Sequence, residues 1–93
     1  GPHEDISVIN EDWGIDLEAE IAVITSDVPM GISAKKAPNH ILLVMLANDI
    51  SLRNLIPSEL KKGFGFYQSK PPTAFSPVAV SPHTLEKTGR AKN

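Results

Sequence analysis

Asp16, Glu18 and Glu20 occupy alternate positions of a stretch, Ile15 to Val28, whose opposite parity carries Ile15, Leu17, Ala19, Ile21 and Val23. A period of two reads as a strand, and it sets Glu18 and Glu20 on one face with Asp16 beside them. Carboxylates gathered in this way repel one another. A divalent cation relieves the repulsion, and hard oxygen ligands select Mg²⁺, Mn²⁺ or Ca²⁺ over softer ions. The same spacing also describes a solvated acidic face on an edge strand, the commoner fate of charged residues.

Three later residues extend the pattern. Asp49 closes the apolar run Ile41 to Ala47 after a single Asn, so it is either a turn former or a ligand held at the end of a sheet. Arg53, four residues on, can clamp an anionic substrate or pair with Asp49. Lys70, which precedes Pro71-Pro72, is either a fixed cation in a site or a solvated loop lysine. The histidines, His3, His40 and His83, are too scattered for a zinc motif and read as surface or packing residues. The sequence carries no nucleophile elbow and no phosphate-cradling glycine loop, which sets aside the common serine hydrolase and nucleotide-binding chemistries.

The elements that must position these side chains are short. The alternating stretch predicts a strand from Ile15 to Val28, ending in the turn residues Asp27 to Gly31. Ser33 is a candidate cap for a helix through Ala37. The continuous run from Ile41 predicts a buried central strand that delivers Asp49 to its end. Ser51 to Leu55 suggests a helical turn broken at Pro57, and Ser58 to Lys62 a short helix closed by Gly63. Phe64 to Ser69 predicts a further strand, and Phe75 to Val80 an edge segment bounded by Pro77 and Pro82, with His83 in a proline-flanked turn. The expected class is α+β, with three or four strands and two short helices.

Ninety-three residues bound the chain to one small domain with a modest core. There is no cysteine, so disulfides and thiolate metal sites are excluded and a cytoplasmic location is expected. The longest apolar run is too short to span a membrane. Net charge is −2, with the acidic residues concentrated before Pro29 and every Lys and Arg from Lys35 onward. The basic residues form no aromatic-laced patch, so nucleic acid is not expected as a partner, and the short apolar run sets a membrane aside as well.

Taken in order, Asp16-Leu17-Glu18-Ala19-Glu20, Asn48-Asp49-Ile50-Ser51-Leu52-Arg53, Gln68-Ser69-Lys70-Pro71 and Ala74-Phe75-Ser76-Pro77 resemble the central motifs of the fumarylacetoacetate hydrolase family. The resemblance runs from around Trp13 to around Leu85. It implies a partial mixed β-roll, with Mg²⁺, or Mn²⁺ or Ca²⁺ in its place, held by Glu18, Glu20 and Asp49. It implies substrate binding by Arg53 and a catalytic cation at Lys70. The chemistry implied is carbon–carbon bond hydrolysis in β-diketo acids or decarboxylation of related β-keto acids, so the expected small-molecule partner is a keto acid.

Members of that family usually continue on both sides and supply a water-activating His and a late Thr-Gly segment, neither of which is recognisable here. The expectation is therefore a truncated central fragment, a single partial catalytic-core domain over residues 1–93 with a frayed polar tail from Glu86. The alternative is a noncatalytic remnant serving as a small self-associating or ligand-binding module. Under either reading, exposed sheet edges invite a homo-oligomer.

Overall fold

The alternating segment divides into two strands, β1 (Ile15–Asp16) and β2 (Ala19–Thr25), in the computed structural model, which describes residues 1–89. The break has a local cause. The Glu18 amide donates to Asn48 Oδ1 at 3.1 Å, and the Glu18 carbonyl accepts from the Asp49 amide at 3.0 Å. Both partners belong to the end of β3 (Ile41–Asn48) or follow it directly. Because a side-chain amide and a turn amide satisfy Glu18, its backbone leaves the regular ladder there.

Five strands form two sheets among the described residues. In the first, β1 pairs antiparallel with β4 (Ser51–Leu52), Ile15 lying opposite Leu52 and Asp16 opposite Ser51. The second has the order β2-β3-β5, where β5 is Ala74–Phe75. Ala47 faces Phe75 and Asn48 faces Ala74 in an antiparallel pair. With helices α1 (Ile56–Lys61) and α2 (Pro82–Gly89), the fold is α+β, as expected.

The chain separates into two compact units. Gly1–Glu20 and Ala47–Pro77 make up the first. This unit holds Ala47, Ile50 and Leu52, which are buried, together with the fully buried Ser51 and Ser69. The second comprises Ile21–Leu46 and the chain from Val78 onward. Within it, Val44 and Val80 exchange backbone hydrogen bonds of 2.8 and 2.9 Å, and the Ser26 hydroxyl lies 3.0 Å from His40 Nδ1.

Several elements differ from expectation for identifiable reasons. Phe64 to Ser69 is not a strand: Gly63 and Gly65 adopt φ of 78° and 81°, a left-handed conformation that turns the chain, and the amides that follow bond to a side chain. Pro57 does not break a helix. It lies in the first turn of α1, where its missing N–H costs nothing, and a 3₁₀ turn at Arg53–Leu55 leads into it.

The helix expected from Ser33 does not develop. Lys36 and Ala37 both donate to the Ser33 carbonyl, but Pro38 has no amide to continue the series, and a 3₁₀ turn at Ala37–His40 follows. His83 lies in α2 rather than a turn, because Ser81-Pro82 starts a helix there. Residues 86–89 belong to that helix, and the remainder of the expected tail lies outside the described residues. β3 is the middle strand but is not buried along its length: Leu42 and Leu46 are more than half exposed, since both faces of a central strand are buried only where other layers cover them.

One turn fixes the approach to β1. Gly14 has φ of 68°, and its carbonyl accepts from the Arg53 amide at 2.8 Å. A Cβ on Gly14 would come within 2.8 Å of Asn54 Nδ2, which itself donates to the Asp12 carbonyl. Gly14→Ala therefore combines left-handed strain with a contact on a hydrogen-bonded side chain, and it should destabilise the protein by roughly 1–2 kcal/mol in chemical denaturation.

Candidate functional site

The pinch at Glu18 brings the acidic positions together. With Glu18 tied to Asn48 and Asp49, one ligand oxygen from each of Glu18, Glu20 and Asp49 falls within 4.8 Å of the others. Glu20 stands two residues on, as the second residue of β2, and is exposed. The Glu18 and Asp49 side chains are 22% and 29% exposed, which keeps them open to a ligand but removed from full hydration. All three lie in the first compact unit, and the sequence had singled out each of them.

Two cations lie against these carboxylates. Lys70 Nζ is 3.0 Å from Asp49 Oδ2, 3.4 Å from Glu18 Oε2 and 2.7 Å from Ser51 Oγ. The three protons of an ammonium match these three acceptors. Phe66 adds a ring face, with its centroid 5.6 Å from Lys70 Nζ. Hydrogen bonding to Asp49, then to Glu18, raises the Lys70 pKa above its usual value against the opposing effect of burial. In this arrangement Lys70 is held as a charged ammonium by its acceptors.

Arg53 pairs with Asp16 at 2.9 Å through Nε and with Glu18 through its terminal nitrogen. The hydrogen bond to Asp16 and the charge of Glu18 raise its pKa further. Its partners are thus on β1 and at the pinch, not Asp49, the partner the sequence had suggested. Half of its side chain is exposed, and guanidinium N–H groups remain for another anion.

Four carboxylates, Asp16, Glu18, Glu20 and Asp49, face two cations, which leaves two negative charges, the charge of one divalent ion. The donor set is all hard oxygen, and it fits a divalent metal.

Sequence reasoning missed the residues that support the cluster. Asn48 supplies the side-chain carbonyl that holds Glu18, and Ser51 donates its own proton to the Asp49 carbonyl at 3.1 Å, leaving its oxygen to accept from Lys70. Both sit inside the Asn-Asp-Ile-Ser motif, where polar residues at the end of an apolar strand were the available signal. Glu59 gave no such signal. From α1 its carboxylate accepts from the amides of Tyr67, Gln68 and Ser69 at 3.2, 2.8 and 2.9 Å.

The Glu59 pKa is held down at about 2, chiefly by the nearby Ser69 hydroxyl and then by those amides, against the cost of desolvation. The hydroxyl is buried and makes no hydrogen bond among the described residues, so the bonds formed to the carboxylate are those of the three amides. In the unfolded chain Glu59 titrates near the ordinary 4.5, so the folded state binds fewer protons between that pH and 2. The stability it contributes is complete above pH 4.5 and lost as pH falls toward 2. Carboxyl NMR should place the Glu59 midpoint about two pH units below the ordinary glutamate value, and Glu59→Gln should flatten this part of the stability profile.

The Fumarylacetoacetate (FAA) hydrolase C-terminal family model matches residues 1–92 of the chain. No curated protein matches it. Among the described residues no helix is long and apolar enough to cross a membrane.

Proposed function

The chain belongs to the fumarylacetoacetate (FAA) hydrolase C-terminal family, and from that premise we propose that it forms the Mg²⁺-binding core of an enzyme that cleaves or decarboxylates β-diketo or β-keto acids in the cytoplasm. The observation that carries this reading is the convergence of Glu18, Glu20 and Asp49 beside a lysine that keeps its charge. Those three carboxylates would hold the ion, with Mn²⁺ and Ca²⁺ as the other hard candidates. The ion would supply Lewis acidity toward the oxygens of a diketone or keto acid.

Two further roles fall to the cations beside those carboxylates. In hydrolysis water adds to one carbonyl carbon, and the carbon–carbon bond then breaks to release that fragment as a carboxylic acid, the bond's electron pair passing to the other fragment as an enolate that takes a proton. In decarboxylation the carboxylate leaves as carbon dioxide and the electron pair forms the same kind of enolate. Lys70, placed by Asp49, Glu18 and Ser51, faces this developing negative oxygen as a positioned cation. Arg53 binds the substrate carboxylate through the N–H groups that Asp16 and Glu18 do not use, which orients the acid relative to Lys70.

A second reading draws on the exposed apolar side chains of β2 and β3, among them Ile21, Val23 and Leu42. It makes the chain a noncatalytic module that self-associates through its sheet edges. Calorimetric titration with Mg²⁺ and Mn²⁺ separates the two. Saturable binding, weakened roughly tenfold or more by Glu18→Ala with Glu20→Ala, is expected for the metal core, and turnover of acylpyruvates or oxaloacetate should accompany it. An oligomer in sedimentation that binds neither ion would favour the module.

A further inference from the structure

The Lys70 side chain reaches the carboxylates from a turn that belongs to no regular element, so something must hold that turn. Gly63 and Gly65, both at positive φ, begin it, and glycines at such positions leave a segment with many accessible conformations. Three successive amides at its far end, those of Tyr67, Gln68 and Ser69, converge on the single carboxylate of Glu59. Concave arrays of backbone N–H groups bind anions, and here the anion is built into α1.

The clamp continues toward the site. Ser69 is fully buried, its amide given to Glu59 and its carbonyl accepting from the Leu52 amide of β4 at 2.8 Å. The Lys70 amide bonds back to the Tyr67 carbonyl at 3.3 Å, closing the turn. The lysine backbone is thus fixed between α1 and β4, and β4 also carries Ser51, the third acceptor of the Lys70 ammonium.

We infer that Glu59 is a positioning residue for Lys70: by collecting the amides of Tyr67, Gln68 and Ser69, its carboxylate sets the turn from which the ammonium reaches Glu18, Asp49 and Ser51. Glu59 touches neither ammonium nor carboxylate cluster and acts through the backbone alone. Its bearing on catalysis rests on the proposed role of Lys70 as the cation of the site.

The test uses the whole chain without added metal, as wild type, Glu59→Gln and Glu59→Asp. Gln places one N–H₂ donor where the three amides need acceptors, while Asp keeps the charge but shortens its reach. Amide hydrogen exchange reads the clamp, the ¹⁵N-edited ammonium signal of Lys70 reads its position, and thermal melting reads the fold. In the wild type, the amides of residues 67–69 should be protected. In Glu59→Gln their protection should fall by roughly tenfold, and the Lys70 ammonium signal should shift or broaden while the Glu18 and Asp49 amides stay in place. Glu59→Asp should fall between the two.

Unprotected amides at 67–69 in the wild type would overturn the inference, and this measurement needs no variant. An unchanged Lys70 signal in either folded variant that has lost amide protection would also overturn it, as would changes spread evenly over the whole unit. Mg²⁺ titration of the wild type is read separately: failure to bind removes the proposed metal function and leaves the result on Lys70 placement standing.

Discussion

The arrangement of the site depends on how the backbone is gripped at Glu18. A strand that continued unbroken from Ile15 would keep its ladder regular. Instead the Asn48 side chain takes the Glu18 amide and the Asp49 amide takes its carbonyl, so the chain changes sheets between β1 and β2. That exchange ties the end of β3 to the residue carrying the central carboxylate. Asp49 and Glu18 come together because their own backbones are bonded, and Glu20, the second residue of β2, brings a carboxylate oxygen to within 4.8 Å of theirs.

Such a grip would be unfavourable without counter-charge, since it gathers carboxylates in partly dehydrated surroundings. Lys70 and Arg53 answer this, one bridging Glu18 and Asp49 and the other linking Glu18 to Asp16. The two cations are not interchangeable. Lys70 is three-quarters buried with its protons matched to acceptors, so it is a fixed charge. Arg53 is half exposed and keeps guanidinium N–H groups that Asp16 and Glu18 do not use.

The sequence exposed this site more fully than the fold around it. Strand periodicity and the abrupt end of an apolar run, both local signals, made Glu18, Glu20 and Asp49 candidates while leaving a solvated acidic face and a turn open, and it was the family resemblance that grouped the three as ligands. Lys70 and Arg53 could be named as cations, but their partners lie 52 and 37 residues away along the chain, a relation that no local pattern encodes. The strand expected at Phe64 to Ser69 failed for a related reason. Its aromatic residues favour extended structure, but the amides of its second half bond to Glu59, a tertiary contact that overrides propensity. Two prolines were read as interruptions, whereas Pro57 and Pro82 stand in the first turns of α1 and α2, where proline is compatible with a helix.

The thin core acquires a particular meaning in this light. The most deeply buried residues among those described, Ile50, Ser51, Leu52 and Ser69, are not spread through an apolar interior but are concentrated in β4, the residue before it and the turn that pairs with it. That backbone carries Ser51 to the Lys70 ammonium, holds Ser69 beside Lys70 and continues directly into Arg53. Oriented charges stabilise a developing anion only if they need not reorganise when it appears, and this requires packing and backbone hydrogen bonding directly beneath them. In this chain the limited burial that a short sequence can achieve is spent under the charged residues, so the strongest local packing and the candidate chemistry share the same few residues.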